Sequence, residues 1–250
     1  MPAVSESRYL VTCTWADVPH LDEKTKRELE ASIEPHLRDA RMSGIPSMGA
    51  GAIYPIPLSE LLVDPFEIPP YWPRAYALDV GWKKTAAVWG AWDRSVDVLY
   101  LYTEHYRGMA EPSIHATAIK ARGEWIRGVA DPASRGRSQA DGHQLFATYQ
   151  GLGLHLTMAD NTVNGPEGGI YRTYELMSTG RLKVFRTMQN WQAEYRLYRR
   201  DENGKVVKEF DHLMDCMRYL VMSGKAVAQP VPVKGAFVVG PSVGDVVAGY

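Results

Sequence analysis

The spacing of apolar positions changes several times along the chain, and each change marks a new element. Tyr76-Ala-Leu-Asp-Val-Gly81 is a short apolar run between Pro73 and Gly81 and predicts a buried strand. Strands over 85–93 and 97–106 follow after short turns, giving an antiparallel meander. A helix over 112–127, opened by Glu111-Pro112, crosses to a strand that ends at Asp131 and is stopped by Pro132. A helix near 139–151 precedes the strand 154–159, and a helix near 167–179, ended by Gly180, precedes the strand 182–185. A basic helix over 187–200, a short strand over 205–210 and a helix over 211–223 complete the pattern. Three antiparallel strands followed by crossover strands define an α/β chain with a mixed sheet flanked by helices.

The ends read differently. Residues 1–73 hold a strand-like Tyr9–Trp15, a polar helix start at Asp22–Glu30 and two stretches rich in proline or glycine, 43–57 and 65–73, without a clear core of their own. After Gly224 the chain is rich in Val, Pro, Gly and Ala with no helical period, which predicts a flexible tail over 225–250. No internal repeat is present.

With 250 residues and 45% hydrophobic content, one main domain of about 150–200 residues can bury a full core. No apolar run approaches the roughly 20 residues of a membrane helix, and the N-terminus lacks a basic start and apolar centre, so an intracellular location is expected. Cys13 and Cys216 have no metal-ligand spacing and are expected to be free thiols. The net charge of −1 excludes a uniformly basic coat, yet Arg181, Lys183, Arg186, Arg196, Arg199 and Arg200 face a single anion, Glu194, within one stretch. With Trp191, Tyr195 and Tyr198 interleaved, this segment reads as a phosphate-facing helix or as an amphipathic helix whose aromatics pack inward.

The chemistry centres on carboxylates. An unpaired carboxylate in a buried strand is costly, and a bound cation is the usual reason for keeping one at a position like Asp79; the alternative is a turn aspartate before Gly81. Asp131 ends a second strand, although Asp-Pro also starts turns. Asp211 and Asp215 share a helix face beside His212. Carboxylates from two strand ends and a late helix can converge on two hard divalent ions.

These motifs resemble a known family. The order Tyr76–Gly81, Thr85–Asp93, Ala130-Asp131-Pro132 and Asp211-His-Leu-Met-Asp-Cys-Met-Arg-Tyr219 is similar to the nuclease domain of tailed-phage terminase large subunits, in the RNase H/RuvC-like superfamily. The likeness spans roughly residues 74–223, and the last motif is its most specific part. It implies an RNase H-like nuclease domain over 74–224, whose strand order places Asp79 on the central strand and Asp131 on its neighbour, with the end of an ATPase domain and a linker before it. It implies a metal-dependent endonuclease in which Asp79, Asp131 and Asp215 hold two Mg²⁺ or Mn²⁺ ions and cut concatemeric viral double-stranded DNA during packaging. The implied partners are the ATPase domain, the small subunit and the procapsid portal, and the implied location is the host cytoplasm, transiently at the portal and not in the virion.

The family places an Asp or His three residues before the helix aspartate, as His212 stands to Asp215, while Asp211 offers a spacing of four. Asp215 is taken as the ligand and Asp211 as helix cap or supporting carboxylate, with the choice between Asp211 and His212 open. Lys83 and Lys84 in the turn after Asp79, Arg135 and Arg137 with Ser134 after Asp131, and Arg196, Arg199 and Arg200 are candidate DNA contacts or simply solvated cations. Asp160 and Asn161 end the next strand at the same edge, where Asp160 could tune the metals, and the polar loop 162–169 is expected to move to admit or exclude duplex.

Two other patterns fail. Gly240-Pro-Ser-Val-Gly244 matches a hydrolase elbow by letter but lacks a following helix, and Gly49-Ala-Gly51 lacks the Lys-Ser/Thr of a phosphate loop. Without a Walker A motif, no ATP-driven motor resides in this chain alone. A junction-selective resolvase and a non-catalytic DNA or portal docking module are the competing readings. The first would share the carboxylates, and the second would ignore their substitution.

Overall fold

The computed structural model describes residues 3–5, 8–9, 14–18, 20–33, 51–130, 141–160 and 165–232. A short hairpin pairs β1 (Ala3–Ser5) with β2 (Arg8–Tyr9), and α1 (Glu23–Ser32) is capped by the Asp22 carboxylate on Thr25 N–H. The main body follows as α2 (Leu58–Leu61), β3 (Leu62–Val63), β4 (Arg74–Asp79), β5 (Thr85–Asp93), β6 (Val98–Arg107), α3 (Pro112–Lys120) and β7 (Arg127–Ala130). It continues as α4 (Asp141–Gly151), β8 (Leu156–Met158), α5 (Gly165–Ser178), β9 (Leu182–Phe185), α6 (Gln189–Leu197), α7 (His212–Tyr219), a π-helical turn at Leu220–Gly224 and α8 (Lys225–Val227).

Seven strands form one mixed sheet in the order β3-β9-β6-β5-β4-β7-β8. β4, β5 and β6 are antiparallel, whereas β7 joins β4, β8 joins β7, and β9 joins both β6 and β3, in parallel. This is the expected mixed sheet, except that the middle strand is β5, with the Asp79 strand beside it. All of β5 except its last residue is buried, as a strand covered on both faces requires.

The period of two along β4 sorts the two cores. Tyr76 and Leu78 pack with Ala87, Trp89, Ala116 and Ile119 under α3, and with Tyr149 of α4. Ala75 and Ala77 face the other way, into a core with Leu213, Met214, Cys216 and Met217 of α7. Small residues line the sheet beneath this helix. A Cβ on Gly90 would lie 2.6 Å from Leu220 Cδ2 in the π-helical turn that follows α7 and 2.7 Å from Leu99 Cδ1, so any side chain there would force these leucines to shift.

Several boundaries depart from the sequence reading. The helix expected over 112–127 stops at Lys120, because Gly123 turns at φ 133° and Trp125 and Ile126 fold against it. The expected strand over 205–210 is reduced to a single bridge between Arg200 and Val206, and Phe210, at φ 55°, reverses the chain into α7. Part of the loop expected over 162–169 is helix: α5 begins at Gly165, and Gly169 is small because Arg218 Cγ lies 2.5 Å from where its Cβ would be. Ile53, Tyr54, Ile56, Leu58 and Leu61, expected in a linker, are buried in the α7-side core, and β3 extends the sheet. Gln229, expected in a flexible tail, pairs with Arg74; residues 233–250 of that tail lie outside the described residues.

His105 of β6 and His115 of α3 are both buried, with Nε2 of the first 2.9 Å from Nδ1 of the second. His115 Nε2 meets the Ala110 carbonyl, which only accepts, so its Nδ1 is the acceptor and His105 donates. Burial holds both imidazoles below their ordinary range, His105 to about 4. The unfolded chain therefore takes up protons below its ordinary pKa of 6.5 while the folded chain does not, and stability falls from there towards pH 4. The His105 share of this loss is at most about 3 kcal/mol. Thermal unfolding at pH 7 and pH 5 should show a fall in midpoint that shrinks in a His105→Gln/His115→Gln variant; an equal fall in both proteins would contradict the assignment.

Candidate active site

Asp79 is the last residue of β4 and, by the alternation along that strand, lies on the α7 face. Its side chain is 19% exposed, at a strand end rather than in the interior. Opposite it in β5 is Ala86, and its predecessor Leu78 pairs with Ala130, the last residue of β7. The next turn is closed by the Thr85 hydroxyl donating to Gly81 O at 3.0 Å, leaving Trp82 and Lys83 exposed.

His212 opens α7 and reaches back to the sheet, where its Nδ1 donates to Asp79 Oδ2 at 2.7 Å. The carboxylate accepts only, which fixes the donor. That hydrogen bond, with the charge of Asp79 behind it, raises the imidazole above its ordinary pKa despite burial. One turn further, the Cys216 thiol donates to Ala86 O at 3.3 Å, opposite Asp79 in the ladder. Burial first, and the negative charge of Asp79 next, push this free thiol far up, so it is a protonated packing group.

Asp215 lies one turn from His212 but is engaged differently. Lys208 Nζ lies 3.1 Å from Asp211 Oδ2 and from Asp215 Oδ2, and Arg218 meets Asp215 Oδ1 at 3.0 Å. Burial works against the charge of Lys208, but Asp215 and Asp211 outweigh it and raise its pKa. Asp211 occupies the N-cap position of α7 without a side-chain cap bond, so the expected capping role is not what its carboxylate does. The cap comes from Glu194 of α6, whose Oε2 accepts from Leu213 N–H at 2.6 Å.

Among the described residues, no three His, Cys, Asp or Glu side chains are grouped as a metal cage. The structure brings Asp79 to His212 and Asp211 to Asp215; Asp131 lies outside the described residues, as do Ser134, Arg135, Arg137 and Asn161. Asp160 N–H donates to Ser223 Oγ at 2.8 Å, tying the end of β8 to the π-helical turn.

The candidate DNA contacts divide in two. Lys83 is exposed and Lys84 lies 4.0 Å over the Tyr106 ring, beside Asp79 in the chain. In the basic stretch, Trp191, Tyr195 and Tyr198 are buried, which selects the inward-packing reading for the aromatics. Arg200 is held by both oxygens of Glu167 at 2.9 and 2.6 Å, Arg186 pairs with Asp64, and Arg181 with Asp97. Arg196 and Arg199 are half-buried. Glu194, counted in the sequence only as the lone anion here, is the residue that sequence reasoning missed. Its place three after Trp191, on the buried stripe of α6, was the available signal.

An acidic strand end facing a late helix across a mixed sheet is the frame of the RNase H-like fold. Residues 76–223 match the family described as the Terminase RNaseH-like domain, and the chain belongs to that family. It is 35% identical over 223 residues to the large terminase subunit of Salmonella phage P22, covering 86% of this chain and 44% of that protein. The chain thus spans under half the length of this curated relative. The solved nuclease domain of the P22 large terminase is 32% identical with a TM-score of 0.68, covering 74% of this chain and 97% of that one. The large terminase nuclease of thermophilic phage G20c, solved with bound magnesium, is 18% identical with a TM-score of 0.51 over 69% of this chain and 97% of that one, and shows the fold alone.

Lys208 separates two carboxylates that would otherwise repel. Replacing it with Met should lower stability at low ionic strength by roughly 1 kcal/mol, the lysine being more than half exposed, with the gap to the unaltered chain narrowing in salt. Denaturant unfolding at two salt concentrations checks this, and an unchanged midpoint at low salt would contradict it.

Proposed function

We propose that this chain is a divalent-metal-dependent endonuclease that cuts double-stranded DNA. The observation that carries the reading is the Asp79–His212 contact at the end of β4, within a chain whose family and relatives are terminase large subunits. The donor set fits the implied metals: carboxylate oxygens and one imidazole, without thiolate, suit Mg²⁺ or Mn²⁺. Asp79, Asp131 and Asp215 would hold two such ions, with His212 or Asp211 completing the set. Bound there, the metals would supply Lewis-acid stabilisation of the attacking and leaving oxygens during phosphodiester hydrolysis.

The chain's own residues prepare the site. His212 orients the Asp79 carboxylate, Arg218 orients that of Asp215, and Lys208 balances the charge of Asp211 and Asp215. Lys83 and Lys84, with Arg135, Arg137, Arg196 and Arg199, would contact the phosphate backbone and position duplex without reading its sequence. Arg200 is the least available of these candidates because Glu167 holds it.

In the wider protein, residues 74–224 would be the nuclease domain, and the residues before 74 the end of an ATPase domain and its linker, the last part of it packed into the nuclease core. The biological role would be cutting concatemeric viral DNA at the start and end of packaging, with the ATPase domain, the small subunit and the portal as partners, in the host cytoplasm.

Supercoiled plasmid incubated with Mn²⁺, Mg²⁺ or EDTA tests the reading. Nicking and linearisation should need the metal and fall roughly 100-fold or more in Asp79→Asn, Asp131→Ala and Asp215→Asn. Cutting that survives all three substitutions would overturn the assigned site.

A further inference from the structure

Helix N-termini leave backbone N–H groups without partners, and side chains nearby in sequence usually satisfy them. Neither α6 nor α7 follows that rule: Met188 and Asp211, at their N-cap positions, make no side-chain cap. The caps come from other elements. Glu104 of β6 accepts from Asn190 N–H at 2.9 Å and from Trp191 N–H at 2.8 Å at the start of α6. Glu194 of α6 then accepts from Leu213 N–H at 2.6 Å at the start of α7, and its other oxygen accepts from the Tyr106 hydroxyl at 2.7 Å. Glu104 and Tyr106 are two residues apart on β6, so one strand anchors both steps.

The sequence of contacts runs from β6 to α6, from α6 to α7, and through His212 to Asp79 on β4. Glu194 is 2% exposed, and an apolar side chain would fill that place without burying a carboxylate. The residue that Glu194 grips, Leu213, directly follows His212, so its grip fixes where the imidazole emerges from the helix.

We propose that Glu194 is a positioning residue of the active site: by capping α7 from α6 while anchored to Tyr106, it sets the first helical turn so that His212 meets Asp79. The inference rests on the nuclease reading for its importance but not for its geometry. Glu194→Gln keeps an acceptor for Leu213 N–H and a partner for Tyr106, whereas Glu194→Met keeps the bulk and removes both.

The test uses the full chain and two readouts besides cleavage. The first is the NMR signal of the His212 Nδ1 proton, assigned by its loss in His212→Gln. The second is Mn²⁺ affinity by calorimetry. Glu194→Gln should keep the low-field signal and bind Mn²⁺ within about threefold of the unaltered chain, while Glu194→Met should lose the signal and at least about tenfold in affinity. A folded Glu194→Met with both readouts unchanged would overturn the proposal. If that variant does not fold, Tyr106→Phe, which frees one end of the carboxylate, should broaden or shift the His212 signal, and an unmoved signal would likewise overturn it. An unaltered chain that neither binds Mn²⁺ nor cuts DNA would defeat the nuclease reading, and the His212 signal would still decide the role of Glu194.

Discussion

The hydrogen bond between His212 and Asp79 joins the two halves of the molecule that matter most, a sheet strand and the helix laid across it. Everything around it serves to bring a residue from late in the chain within 2.7 Å of one from the first strand of the meander. Small side chains at Ala75, Ala77 and Ala86 let α7 approach the sheet, while Leu213, Met214, Cys216 and Met217 fill the space between, and Gly90 makes room for Leu220 in the turn that follows. Even the thiol takes part, donating to the carbonyl of the residue opposite Asp79. Helix and sheet are thus held at fixed separation by packing, and at fixed register by a few polar contacts at the N-terminal end of the helix.

Three arginines of the basic stretch are engaged in surface ion pairs. The basic stretch that looked in sequence like a DNA-facing helix turns its aromatic stripe inward, and Arg181, Arg186 and Arg200 are paired with carboxylates from elsewhere in the fold. The turn after Asp79 keeps Lys83 and Trp82 exposed. Lys208 and Arg218 flank Asp215, and Lys208 also reaches Asp211, so the two carboxylates coexist beside shared cations. Such an arrangement keeps the carboxylate oxygens in place without the cost of leaving like charges uncompensated.

How much of this was legible depended on whether the information was local. The run 76–81 announced its strand and its unusual carboxylate, and the bounds of β5 and β9 agree with the sequence pattern because alternating or continuous apolar residues ended at plain turns. The start of α7 was legible from Asp211 and the apolar stripe after it. The role of Asp211 was not, because a capping residue looks the same in sequence whether or not another helix has taken the work. The position of Glu194 on the buried stripe of α6 was legible but its role was not, for the same reason: its meaning lies in Leu213 and Tyr106, contacts that only the packed fold creates. The strand expected at 205–210 does not form: Lys-Val-Val-Lys-Glu-Phe lacks a strand's alternation, and the segment keeps one bridge, from Val206 to Arg200, before Phe210 reverses the chain.

The proposed divalent-metal site lies between the end of β4 and the first turns of α7. Anomalous diffraction from crystals of the full chain grown with Mn²⁺ tests it most directly. The account predicts manganese peaks within about 2.5 Å of carboxylate oxygens of Asp79 and Asp215. Well-ordered density for both side chains with no peak beside either, or peaks only at other surface carboxylates, would contradict it.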